Sequence, residues 1–231
     1  MRLHRFIGDF DFSASRIKIS DFKLLHQLRS VLRFKTGDEI ILSDGKSREA
    51  RVKIIGQEKD FLEAEILELE NNENEPERRA ILYCALLKRE NFELATQKAV
   101  EIGIKEIVPI IAQRTVKLNF NEERLKKIIK EAAEQSGRGI IPVLGRPIKF
   151  GEALDQAKKN SANLFFDATG DNFQTFKIES AGSVGIFIGP EGGWTEEELK
   201  AAKMENFSIV NLGKLTLRSE TAAIIASYLV L

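Results

Sequence analysis

The sequence predicts an α/β protein in two parts, a small β-rich N-terminal domain and a larger C-terminal domain built on a parallel sheet. Three observations predict it. Up to about residue 70, short alternating or β-branched runs are separated by turn residues. A polar, acidic stretch then interrupts the pattern, Asn71-Asn72-Glu73-Asn74-Glu75-Pro76. Beyond it, short apolar runs alternate with helix-length segments, as expected of parallel strands covered on both faces. The reading assigns residues 1–70 to the first domain, 71–76 to an exposed linker and 77–231 to the second.

In the first domain Ser20 is expected to cap a helix reaching about Leu32, with Leu24, Leu25, Leu28 and Leu32 inward and Lys23, Arg29 and Arg33 projecting. Residues 39–42 and 50–55 form a hairpin across Ser43-Asp44-Gly45-Lys46, and 61–69 a half-buried strand. In the second domain the expected strands are 80–87, 107–111, 163–166, 184–188 and 208–212, and the expected helices 91–102, 122–136, 151–159, 196–204 and 219–231. Asn121 is placed to cap one helix, and Gly103 and Gly137 to end two others in the left-handed conformation.

Charge and composition narrow the chemistry. Residues 1–35 carry eight Lys/Arg against three Asp/Glu, and residues 36–70 five against ten, so a net charge of zero conceals a basic N-terminal patch. Arg2, Arg5, Arg29 and Arg33 belong to it, with Phe6, Phe10 and Phe12 interleaved; it reads either as a solvated face or as a phosphate-binding surface. One cysteine and two histidines cannot form the usual closed zinc site, so no metal is expected. His4 and His26 both precede residue 71, which removes histidine acid–base chemistry from the larger domain. Cys84 sits in an apolar run and reads as core. The longest apolar run, 221–231, is short of the ~20 residues a membrane span needs, and no signal-peptide core begins the chain, so a cytoplasmic location is expected.

In open parallel sheets, ligands lie beyond the carboxyl ends of the strands. Two of the loops expected there are unusual. The first, Ile188-Gly189-Pro190-Glu191-Gly192-Gly193-Trp194, packs glycines that allow close approach of backbone to a ligand; so many special residues beside an acid at a strand's carboxyl end favour a site over a mere turn. It leads into Thr195-x-x-Glu198, a capping box, with Glu196 and Glu197 in the first turn. A helix start already satisfied and negative disfavours a polyphosphate, and neither a P-loop nor a dinucleotide fingerprint occurs. The second loop runs from Leu212-Gly213 through Leu217-Arg218-Ser219-Glu220 into a helix apolar on all sides, which must be buried in the core or against another subunit. Arg218 and Glu220 are candidates for chemistry or for a salt bridge tying off that helix; Trp194 for stacking on a base or for the core.

Taken together, Gly189-Pro190-Glu191-Gly192-Gly193-Trp194-Thr195, then Leu212-Gly213 and Leu217-Arg218-x-Glu220-Thr221-Ala222, resemble the RsmE family of 16S ribosomal RNA uridine-N3 methyltransferases, within the SPOUT superfamily. Residues 97–103, 131–138 and His26 with 31–33 and 37–38 fit the same family, so the resemblance spans nearly the whole chain. The sequence departs from the family's pattern at Leu215, Thr216 and Thr115.

The resemblance implies an N-terminal PUA-like β-barrel, a C-terminal SPOUT domain with a trefoil knot, and a homodimer using the C-terminal helix. It implies S-adenosylmethionine as cofactor, held by backbone of Ile188, Gly189, Leu212, Gly213 and Leu217, with Gly192 permitting a close pass. The partner would be 16S ribosomal RNA of the small subunit, contacted by Arg2, Arg5, His26, Arg29, Arg33, Arg114 and Arg138. Arg218, with Arg114 or Arg138, would stabilise the uracil anion, while Glu191 or Glu220 accepts its proton or positions the arginine. Two other readings stay open, a catalytically silent RNA-binding or ribosome-assembly factor and a methyltransferase of the same superfamily acting on another RNA position.

Overall fold

Apolar residues at every second position build the N-terminal sheet. Its elements are strands β1 (Arg5–Ile7) and β2 (Arg16–Ile19), helix α1 (Phe22–His26), a π-helical turn (Gln27–Val31), and strands β3 (Glu39–Ser43), β4 (Arg48–Glu58) and β5 (Phe61–Asn71). The strand order is β1-β3-β4-β5-β2, with β1 parallel to β3 and the other pairs antiparallel. Ile17, Ile19, Ile40, Leu42, Val52, Ile54 and Leu62 fill one core together with Leu25 and Leu28 of the helical turns. Arg51 and Lys53 lie between these positions and face water, as period-two alternation requires. Asp21, not Ser20, caps α1: its Oδ1 accepts from the Leu24 N–H at 2.7 Å. Both residue types cap helices, and the chain enters the helical turn one residue later than expected.

The computed structural model describes residues 3–116, 120–173 and 181–231. Within them the chain divides into one unit of Met1–Glu75 with Ala133–Ile141, and a second of Pro76–Ala132 with Pro142–Leu231.

In the first unit the polar stretch leaves Asn71, Glu73 and Asn74 exposed, as expected, but is anchored at Asn72 and Glu75. Asn72 is buried, and its Nδ2 donates to Glu49 Oε2 at 3.0 Å and to the Gly137 carbonyl at 3.1 Å. Glu75 takes a two-pronged ion pair from Arg138, at 3.0 and 2.6 Å. A Cβ on Gly139 would lie 2.6 Å from that of Asn72, so this approach needs glycine. Composition showed the polarity of 71–76 but not the partners, of which Gly137 and Arg138 lie more than 60 residues away.

The second unit holds strands β6 (Arg79–Ala85), β7 (Glu106–Ile111), β8 (Val143–Leu144), β9 (Ile148–Lys149), β10 (Ala162–Asn172), β11 (Ser183–Ile188) and β12 (Ser208–Asn211). The helices that follow α1 in the chain are α2 (Arg89–Ile102), α3 (Glu122–Ser136), α4 (Phe150–Ala157), α5 (Glu196–Met204) and α6 (Ser219–Val230). All but the last residues of α3 belong to this unit. The sheet order is β12-β10-β11-β6-β7-β8, with β9 also on β7, and every pairing is parallel. The carboxyl ends of β6, β10, β11 and β12 therefore lie along one edge, with β11 inserted between strands that precede it in the chain. Packed rings brace the middle: Tyr83 stacks on Phe187 at 4.5 Å, and Phe165 lies tilted against Trp194 at 4.5 Å.

Local signals read from the sequence reappear here. Gly103 and Gly137 have φ of +121° and +86° after α2 and α3. Asn121 Oδ1 accepts from the Arg124 N–H at 3.0 Å. Strand β10 runs six residues past its expected end, bulging between Phe166 and Asp171 before pairing with β12 again. Among the described residues no helix is long and apolar enough to cross a membrane.

The Arg138–Glu75 pair makes a testable claim, because its side chains are only 5% and 11% exposed. Removing one partner of a buried pair strands the other charge, at a cost of about 3–5 kcal/mol. Urea unfolding of Arg138→Ala should show a loss of that order, and a loss of about 0.5 kcal/mol, typical of a surface arginine, would contradict the structural role.

Candidate active site

At the carboxyl edge of the parallel sheet, the loops after β6, β10, β11 and β12 enclose a cleft of about 990 Å³. This is within the size range of sites for mid-sized organic ligands. The turn after β11 forms one wall. The Gly193 N–H closes it by donating to the Pro190 carbonyl at 2.8 Å, with Gly193 at φ +70°. Glycine has no side chain to hold such a turn, so its neighbours do. A Cβ on Gly189 would meet the Trp194 indole at 3.0–3.2 Å. Trp194 is buried, packs on Phe165 and Phe150, and donates from Nε1 to the Phe166 carbonyl at 3.1 Å. Its role is core packing under the turn, not base stacking.

Arg114 fastens the far side of the turn. One Nη donates to the carbonyls of Gly192 and Trp194 at 2.8 and 3.2 Å, and its aliphatic stem lies where a Cβ on Gly192 would be 3.4 Å away. Glu191 Oε1 accepts from the Lys88 N–H at 2.9 Å, which ties the turn to the start of α2. The capping box on α5 forms as expected, with Glu198 Oε2 on the Thr195 N–H at 2.9 Å and Thr195 Oγ1 on the Glu198 N–H at 3.2 Å. Glu198 Oε1 also accepts from the Gln113 N–H at 2.8 Å. Glu197 is held below the usual carboxylate range by a backbone N–H, the Thr195 hydroxyl and the Arg114 charge. This helix start is thus negative and engaged, and offers no seat for phosphate.

The loop into α6 forms the opposite wall. Gly213 has φ +114°, and its N–H donates to Asn211 Oδ1 at 2.9 Å. Arg218 occupies the N-cap position of α6 and is exposed, while Glu220 in the first turn is only 6% exposed. No ion pair joins them among the described residues, so the salt bridge weighed from sequence is not what holds the helix start. Glu220 Oε2 is buried without a hydrogen-bond partner among those residues. Beneath, burial pushes the Cys84 thiol up to about 12, with the charges of Glu191 and Glu220 adding to the effect. A thiol held protonated is no nucleophile.

The structure gathers all six residues expected to hold a cofactor, Ile188, Gly189, Gly192, Leu212, Gly213 and Leu217, around this one cleft, and Arg218, Glu220 and Glu191 with them. Lys88, Asn91, Phe166 and Asp167 line it too and were not singled out. Their signal was available: Lys88, Asn91 and Asp167 follow the end of an apolar strand run, and Phe166 is the last residue of one.

The expected RNA contacts divide. His26 and Arg33 are exposed. Arg29 does not project freely, because its guanidinium donates to the carbonyls of Lys59 and Phe61 at 2.9 and 2.6 Å. Arg5 is paired with Glu49 at 3.0 and 2.8 Å, and Arg138 with Glu75 as above. Arg2 lies outside the described residues. Among the described residues no cluster of potential ligands for a metal ion occurs.

Comparison with known proteins agrees with this architecture. A family model of the RNA methyltransferase domain matches residues 73–231, and one of the RNA methyltransferase PUA domain matches residues 26–67. The ribosomal RNA small subunit methyltransferase E of Mesomycoplasma hyopneumoniae is 40% identical over 167 residues, covering 70% of this chain and 73% of that one. Its Rickettsia conorii counterpart is 31% identical over 218 residues, covering 92% and 88%. The Neisseria gonorrhoeae methyltransferase E, solved bound to S-adenosylmethionine, superposes with a TM-score of 0.88 at 31% identity over 98% of this chain and 95% of that one. A Legionella pneumophila protein solved with the same cofactor gives 0.90 at 26% identity, covering 100% and 97%. With a PUA-like domain ahead of a parallel-sheet methyltransferase domain, this chain belongs to the ribosomal RNA small subunit methyltransferase E family.

Proposed function

We propose that this chain methylates N3 of a uridine in the 16S ribosomal RNA of the small subunit, using S-adenosylmethionine held in the cleft between the Gly189 and Gly213 turns. The observation that carries the reading is the convergence of two glycine turns from different strand ends on one cleft, with no seat for phosphate beside them. The lining suits this cofactor. Open backbone at Gly189, Leu212 and Gly213 can serve adenine and ribose, and a buried carboxylate faces a ligand that bears positive charge. When bound, the cofactor supplies an electrophilic methyl group on a sulfonium.

The residues of the chain then orient the base and manage its charge. Attack by N3 requires that the uracil lose a proton and carry negative charge on its ring. Arg218 stands exposed at the N-cap of α6 on the cleft wall, where its guanidinium can stabilise that charge. Glu191 is exposed on the opposite rim, its direction set by the Lys88 N–H, and takes the role of proton acceptor. Arg114 acts on the turn and not on the base, since its guanidinium is engaged by two carbonyls of the cleft wall. His26 and Arg33, with Arg2, serve RNA binding, whereas Arg5, Arg29 and Arg138 support the fold that presents them. The threading of the C-terminal segment into a trefoil knot belongs to the same reading.

The reading includes a homodimer built on α6. That helix leaves Ile225, Tyr228 and Leu229 exposed by 36%, 73% and 43%, at the i, i+3, i+4 spacing of a single face. Tyr228→Arg should convert a dimer to a folded monomer in light scattering after gel filtration, and an unchanged dimer mass would remove α6 from the interface.

Mass spectrometry of 16S ribosomal RNA nucleosides from a deletion strain tests the activity. Loss of one 3-methyluridine, restored by the intact gene, is the expected result. Arg218→Ala should restore little of it and lower the rate on small subunits by about 100-fold. An unchanged nucleoside profile in the deletion strain would favour a silent binding factor, and a wild-type rate for Arg218→Ala would remove it from the chemistry.

A further inference from the structure

Among the described residues that line the cleft, Glu220 is the one whose placement costs stability without a visible return. Of the charged residues that line the cleft, Lys88, Asp167, Glu191, Lys214, Arg218 and Glu220, it alone is buried among the described residues. Its Oε2 is sealed from water and receives no hydrogen bond there, and the exposed Arg218 two residues away makes no ion pair with it. Leaving a buried carboxylate oxygen unsatisfied is expensive, and natural chains rarely retain such a group unless a ligand completes it. It sits in the first turn of the 12-residue α6, the end of a helix that attracts negative charge. Burial raises the Cys84 thiol beneath, and the charges of Glu191 and Glu220 add to it.

We propose that the Glu220 carboxylate is the counter-charge for the sulfonium of the methyl donor, so that the cleft discriminates the charged donor from its neutral-sulfur product. This inference rests on the function proposed above. A sulfonium has no N–H to donate and is recognised by charge alone, which suits an oxygen that lacks hydrogen-bond donors. In a site shielded from water, an attraction between opposite charges is much stronger than in bulk solvent. The amino-acid end is common to donor and product, so a contact there would not discriminate the two.

Glu220 is also poorly suited to accept the uracil proton, since a proton acceptor must return the proton to solvent, and the exposed Glu191 can do so. On transfer, the sulfur–methyl bond breaks and the nitrogen–methyl bond forms, the sulfur keeps the bonding pair, and the N3 proton passes to the rim carboxylate. Glu220 then faces a neutral thioether, the attraction vanishes, and exchange of spent for fresh donor is favoured.

Calorimetric titration of the full-length protein tests this with three probes: S-adenosylmethionine, an analogue with a protonated amine in place of the sulfonium, and S-adenosylhomocysteine. Glu220→Gln, nearly the same shape without the charge, should weaken the first two by about tenfold or more and change the third by less than about threefold. The unliganded variant should melt at the same or a higher temperature, because a desolvated charge is gone. Equal weakening of all three, with a lower melting temperature, would make Glu220 a structural prop and overturn the inference. Wild-type affinity of the variant for every probe would overturn it as well, leaving the methyl-donor reading intact. A wild-type protein that binds none of the three would overturn that reading and this inference with it.

Discussion

The site depends on a glycine turn that cannot hold itself. Between Gly189 and Gly193 the chain gives up side chains so that backbone can approach a ligand, and with them the contacts that normally order a loop. Order is supplied from outside. The indole of Trp194 lies under Gly189, the Arg114 guanidinium binds two carbonyls of the turn, and the Lys88 N–H holds Glu191. Each tether comes from the end of a different strand, so the turn keeps its shape only while the parallel sheet keeps its order. Catalysis by orientation demands that rigidity, because a displacement of about 1 Å at a reacting centre can cost two orders of magnitude in rate.

Electrostatics complete the picture. The start of α5 is acidic and self-capped, the start of α6 carries a buried carboxylate, and the floor under both is an apolar strand with an inert thiol. A polyphosphate would find repulsion at the start of α5. A cationic donor finds the opposite, while the negative charge that develops on the base finds Arg218 at the mouth. One cleft thus offers opposite charges at two depths, which suits a reaction that transfers a cationic group to an anion.

Much of this was legible in the sequence because it is local. The capping box of Thr195 and Glu198 lies within four residues, Gly103 and Gly137 mark helix ends, and the strands announce themselves as apolar runs. The bounds of α3 and α5 fall where periodicity put them. Non-local partners escaped. Glu198 meets Gln113 across 85 residues and Arg138 meets Glu75 across 63, and no one-dimensional pattern encodes such pairs. Arg114 and Arg138 therefore read as free cations, although one is a clamp and the other half of a buried pair. Residues 133–141 cluster with the N-terminal unit for the same reason: their partners lie far back in the chain.

The account stands on where the donor lies, and the most direct measurement is a crystal structure of the protein grown with S-adenosylmethionine. It should show the adenosyl group between the Gly189 and Gly213 turns, in contact with the backbone of Leu212 and Leu217. Donor density at any other surface, with this cleft holding only solvent, would contradict the account.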